Sequence, residues 1–200
     1  MQTLSGLYDN YGDARAVVRE LEDVGILSSN ISIVGRGAVA NETNAAQGAA
    51  AGAGVGAVAG GTGGLLAGLG MIAIPGVGPV VAAGWLLATI AGAAAGAVAG
   101  GAAGGVIGSL TDAGVDEDEA HVYVEGIRRG STLVSVRVDE DQAAIARSIL
   151  KDDTFADFEA RRAMYHEEGW QGFDETNPVF TEEEVARERQ RLREYRQQMP

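Results

Sequence analysis

Residues 65–90 read LLAGLGMIAIPGVGPVVAAGWLLATI, and how this stretch is read decides the fold. At its centre stands Pro75-Gly76-Val77-Gly78-Pro79. Two prolines and two glycines within five residues mark a tight reversal. On each side lies enough chain for a helix of roughly 25 to 30 residues, about 40 Å long. The expectation is therefore an antiparallel helical hairpin over residues 38–115, with its turn at Pro75, Gly76, Gly78 and Pro79. Large apolar residues, Leu65-Leu66, Met71 to Ile74 and Trp85 to Leu87, cluster near that turn, while the outer arms are mostly Gly and Ala. A flexible linker would not carry such residues.

The glycines of the arms are periodic. Gly52, Gly56, Gly60, Gly64 and Gly68 recur every four residues, and so do Gly92, Gly96, Gly100, Gly104 and Gly108. Each Gly costs a helix about 1 kcal/mol relative to Ala, so such helices need close contacts in compensation. Rows at this spacing form a flat strip on which a second backbone can rest, as in the small-residue contacts of membrane helices. They favour a right-handed crossing.

Charge patterning isolates the same region. The chain has 200 residues, 30 of them Gly, and a net charge of −13. Yet no charged residue occurs from Thr43 to Thr111. Both arms exceed the roughly 20 residues of a bilayer crossing and would bury no charge. Trp85 would then lie at an interface. The stretch reads either as a pair of crossings with both termini in the cytoplasm, as a re-entrant insertion, or as hairpins buried in one another in a soluble oligomer.

Outside this region the chain reads as α+β. Residues 3–8 form a strand. Asn10 caps a helix whose apolar face is Ala14, Val17, Val18, Leu21 and Val24, closed by Gly25. Ile31 to Val34 is the next strand. Asp116 caps a second helix, with Glu119 at its third position. Thr132 to Val138 alternates, with Val134, Val136 and Val138 on one face. Asp139 caps the following helix, and Phe155 to Ala160 reads as a closing strand. Four segments result: residues 1–37 as a β-α-β half-domain, 38–115 as the hairpin, 116–166 as an α-β-α-β half-domain, and 167–200 as an acidic tail. The two halves together suggest a small ferredoxin-like sandwich, one face covered by the first helix and the one after Asp139. In the tail, Thr181 to Glu184 is a capping box opening a charged helix. Trp170 and Phe173 either pack back on the sheet or anchor a protein partner.

The opening LSGLYDNYGDARAVVRELEDVGILSSNISIVG, residues 4–35 without its flanks, resembles the general stress protein 17M-like (heat-induced stress protein) family of bacteria. Ala73 to Gly84 and Glu125 to Val136 resemble its longer members, which carry a Gly-rich hairpin. The resemblance spans about residues 3–160. It implies a stress-associated bacterial protein with no established catalysis, often considered membrane-associated, and it supplies no site residues.

Several chemistries are excluded. The acidic balance argues against nucleic acid. No Cys is present, so thiol catalysis and Cys-based metal sites are out. Met1 to Leu4 shows no signal-peptide character. Gly35-Arg36-Gly37 lacks the helix and acid of a dinucleotide fingerprint. Counting from Asp116, His121 and Ile127 fall where a calcium loop needs Gly and Glu. His121 and His166 stand 45 residues apart with no Ser or Cys partner suggested. The sequence thus predicts a non-enzymatic stress-response protein without cofactor or metal, self-associating through its glycine rows. The expected partners are a lipid bilayer and further copies of the chain. The expected place is the bacterial inner membrane with cytoplasmic termini, or alternatively the cytoplasm.

Overall fold

The computed structural model describes residues 1–36, 70–74, 76–95, 101–151, 155–156 and 158–198. Gly52, Gly56, Gly60, Gly64, Gly68, Pro75, Gly96 and Gly100 of the expected hairpin lie outside them.

Strand β1 spans Gln2–Tyr8, and helix α1 spans Tyr11–Asp23. The Asn10 side chain accepts a hydrogen bond from the Asp13 amide at 2.9 Å, which fixes where α1 begins. Gly25, at φ +87°, ends it with the paired turn bonds of a left-handed C-cap. After a short 3-10 turn over Ser28–Asn30 comes β2, Ile31–Gly35. Two strands follow, β3 at Gly70–Ile74 and β4 at Gly78–Gly84. Helices α2 (Trp85–Ala95), α3 (Gly101–Asp112) and α4 (Glu117–Arg128) lead to β5, Thr132–Val138. Helix α5 (Glu140–Leu150), a two-residue β6 (Phe155–Ala156), α6 (Phe158–Glu167) and α7 (Glu182–Gln198) complete the order.

The strands form one sheet in the order β3-β4-β2-β5-β1-β6, every pair antiparallel. The fold class is α+β. Side chains alternate across this sheet and both faces are covered. On the first face, Ile31, Ile33, Val134, Val136 and Val138 meet α1 and α5 through Val17, Leu21, Ala143 and Leu150. On the second, Val34, Val80, Ala82 and Leu133 meet α2, α3 and α4 through Leu86, Ile90, Leu110, Tyr123 and Ile127.

Three expectations need correction. The reversal at Gly76 and Gly78 is where the sequence put it, but it joins two strands, not two helices: Ile72 pairs with Val80, and Ile74 with Gly78. The reason is local. Met71 to Ile74 and Val80 to Ala83 are short apolar runs bounded by Gly and Pro, and β2 offers β4 a free edge to pair with. After the reversal, helix begins at Trp85. Trp85 itself faces the core at 7% exposure, with the Arg137 guanidinium stacked 3.6 Å over its ring. Finally, strand at the chain's closing edge stops at Ala156, because Ala160, Arg161, Met164 and Tyr165 are buried at helical spacing in α6.

The tail docks. Leu192 of α7 packs with Val122, Met164 and Tyr165. The capping box forms reciprocally: the Glu184 amide donates to Thr181 Oγ1 at 3.2 Å and the Thr181 amide to Glu184 Oε2 at 2.7 Å.

Candidate functional site

A polar cleft of about 280 Å³ lies between α4, α6 and the loop that follows α6. Its walls include Asp118, His121, Arg162, His166, Trp170 and Gln171. Local sequence explains each placement. Asp116 Oδ1 accepts from the Asp118 and Glu119 amides at 3.0 and 3.4 Å, starting α4 so that Asp118 and His121 share a face one turn apart. Gly169, at φ +83°, ends α6. Its amide donates to the His166 carbonyl and that of Trp170 to the Tyr165 carbonyl, a Schellman turn whose hydrophobic contact is Trp170 against Tyr165, centroids 5.9 Å apart.

That turn brings the loop under both histidines. His121 Nδ1 accepts the Phe173 amide proton at 3.1 Å. The Trp170 carbonyl lies 3.1 Å from His166 Nδ1. An amide donor requires a lone pair on His121 Nδ1, so the neutral ring carries its proton on Nε2. A carbonyl acceptor requires a proton on His166 Nδ1, which leaves its Nε2 free as an acceptor. The two rings are thus opposite tautomers in one cleft. The buried Trp170 Nε1 has no hydrogen-bond partner among the described residues. Among the described residues no group of three His, Asp or Glu is arranged to hold a metal ion.

Below the cleft, α4 ends in a buried ion cluster. Glu125 accepts from Arg128 Nε and Nη2 at 2.9 and 2.6 Å, and from Arg129 Nε at 2.7 Å. Arg129 reaches Glu168 and Glu188 at 2.7 and 2.8 Å, and its guanidinium lies 4.0 Å over the Tyr165 ring. Burial alone would lower the Arg129 pKa, but Tyr165, Glu125 and Glu188 beside it turn the shift upward. Arg128 donates to the Pro178 carbonyl at 3.1 Å, and Arg36 donates to the carbonyls of Arg128 and Phe180 at 2.7 Å each. Asp9 pairs with Arg161 and, at 2.9 Å, with Arg196. The C-terminal arm is therefore fastened from Phe173 to Arg196.

The residues singled out in the sequence separate. Phe173 packs against the second-face core, while Trp170 forms a wall of the cleft and joins the tail cluster. Gly76 and Gly78 turn the β3–β4 hairpin at φ +72° and +90°, and Pro79 pairs with Ala73. Gly92 lies in α2. Gly104 and Gly108 lie on α3, and no described atom comes within 4 Å of where a Cβ would stand on either. Sequence reasoning passed over Arg162 and treated the histidines as isolated. A ring nitrogen bonded to a backbone amide leaves no pattern in sequence. The only local signal was Gly169, three residues after His166.

Residues 3–72 match the family model of the heat induced stress protein YflT domain. The resemblance to general stress proteins is borne out over those residues. The cleft and the C-terminal arm lie outside the matched stretch. No curated protein matches the chain, and no solved structure matches it.

Proposed function

We propose that this chain, which carries the heat induced stress protein YflT domain over residues 3–72, is a non-enzymatic bacterial stress-response protein that self-associates through its glycine rows. The observation that carries this reading is the surface of α3. Gly104 is exposed, Gly108 follows one turn later, and an added Cβ at either would meet no described atom within 4 Å. A helix that accepts the propensity cost of glycine without using the space inside its own fold has that space for another backbone. The absence of charge from Thr43 to Thr111 removes any desolvation penalty from such a contact.

Self-association takes precedence over membrane insertion. Ile74, Val77, Val80, Trp85, Leu86 and Ile90, apolar residues near the turn, are buried in the second-face core. No helix among the described residues is long and apolar enough to cross a membrane. The ferredoxin-like description of β2, β5, β1 and β6 with α1 and α5 belongs to the same reading, as the domain that presents the glycine face. Its place in this reading is the cytoplasm.

Sedimentation velocity of the full chain tests it. Wild type is expected to run as an oligomer, and Gly104→Leu and Gly108→Leu to shift it toward monomer. Ala144→Leu, exposed on α5 across the sheet, serves as the control and leaves the distribution unchanged. Flotation with anionic lipid vesicles runs in parallel. A wild-type monomer that floats with vesicles would replace this reading with the membrane one.

A further inference from the structure

The loop from Trp170 to Phe173 is held to the body by two histidine contacts of opposite sense, and they respond differently to a proton. Neutral His121 receives the Phe173 amide proton on Nδ1 at 3.1 Å. Protonated, that nitrogen carries its own hydrogen, so two donors face each other and the bond is lost. His166 Nδ1 donates to the Trp170 carbonyl at 3.1 Å. That bond survives protonation, since the added proton goes to Nε2.

We propose that His121 is an acid-sensitive latch on the C-terminal arm. Phe173 is where the arm joins the second-face core. From there the arm crosses the β3–β4 turn. A Cβ on Gly76 would stand 2.7 Å from Glu175 Cα, and one on Gly78 would stand 2.9 Å from Val179 Cγ1. Loss of the His121 bond loosens the arm from Phe173 to Asn177, since Arg128 still holds the Pro178 carbonyl at 3.1 Å. Its far end stays fixed, because α7 is held separately through Arg129–Glu188 and Asp9–Arg196.

Charged and titratable groups surround His121. Asp118 and Arg162 line the cleft beside it, with His166 on the opposite wall. On α4 itself, Glu117 and Glu125 lie one turn to either side, Glu125 paired with Arg128 and Arg129; Asp174 follows Phe173, and Glu168, just past α6, is paired with Arg129. Acidification places a hydrogen on Nδ1, and the Phe173 amide then faces a second donor. The inference stands apart from self-association: the arm can open whether or not the chain forms oligomers.

Amide hydrogen exchange on the full chain, read by NMR at pH 7.5 and pH 5.0 and corrected for intrinsic rates, is the test. Protection of the Phe173 amide is expected to fall about tenfold at the lower pH, the share of one backbone hydrogen bond, with the α4 amides unchanged. His121→Asn places a non-titrating acceptor near the position of Nδ1, and its Phe173 protection is expected to be equal at the two pH values. His166→Asn retains the wild-type fall. Equal wild-type protection at both pH values overturns the proposal. So does a His121→Asn variant with the wild-type fall, or a loss of protection spread evenly over the whole chain.

Discussion

Glu125 of α4 and Arg129, the residue that caps that helix four positions on, form a 2.7 Å ion pair, with Glu125 wholly buried and Arg129 at 5% exposure. Arg128 shares the same carboxylate. Removing the acid leaves two guanidinium groups in a dry site with fewer partners. Glu125→Ala is expected to cost about 3–5 kcal/mol, read as a lower urea midpoint at unchanged slope. A loss below about 1 kcal/mol would mean that Glu168 and Glu188 carry the cluster without it.

Gly130 works as the seat of α7. It sits at φ +95°, and a Cβ there would stand 2.2 Å from Val185 Cγ1. Gly130→Ala combines an unfavourable backbone angle with that collision, at about 1–3 kcal/mol. The expected result is faster trypsin cleavage in α7, with the sheet still intact by circular dichroism. Unchanged cleavage would show that Arg189, which donates to the Gly130 carbonyl at 2.9 Å, holds the helix by itself.

The corner between β4 and α2 rests on Gly84. At φ +84° its Cα comes so close to β2 that a Cβ would lie 1.9 Å from the Ile31 carbonyl oxygen. Backbone cannot retreat as a side chain can. Gly84→Ala is expected to destabilise by about 2–4 kcal/mol, more than Gly130→Ala, in parallel thermal melts.

Alkaline titration has a defined sign. Burial holds the Tyr123 phenol well above the ordinary tyrosine range, with Glu119 and Glu159 adding to the effect. Burial does the same for Tyr165. Their folded pKa values lie above the unfolded one, so the native state keeps protons that the unfolded state loses beyond about pH 10. Stability is intact below that pH and falls as pH rises through it. Absorbance at 295 nm is expected to show these two tyrosines ionising only as the chain unfolds. Tyr123→Phe, which removes one such group, is expected to flatten the alkaline slope. An early, reversible ionisation of both would contradict this.

Where structure follows from neighbours in sequence, the chain was legible. Asn10, Asp116 and the Thr181–Glu184 box begin their helices as their spacing requires, and Gly25 ends one. Val134, Val136 and Val138 share a face because a strand alternates. Asp139 stands at the start of α5, but its carboxylate caps nothing there and lies 3.8 Å from the N-terminal amine of Met1. Residues 70–84 were misread for a physical reason. Four apolar residues in a row fit a buried strand or a buried helix equally, and glycine at every fourth place pulled the choice toward helix. What settles the matter is an edge of β2 needing a partner, and that edge exists only once the sheet does. The cleft was illegible for a similar reason, because a Schellman turn and two imidazoles assemble it from two stretches of chain about 45 residues apart.

The pairing at the centre of the sheet sets an order of events during synthesis. Ser5 and Ser135 touch across β1 and β5 at 2.9 Å, yet 130 residues separate them. At translation speeds of about 5–20 residues per second, β1 waits on the order of ten seconds for its neighbour. During that wait the whole uncharged middle of the chain is synthesised, before the strand that closes the domain has been made. Helix α7 comes later still, and with it Arg196, the last partner of Asp9. The sheet can therefore close only after most of the chain has been made.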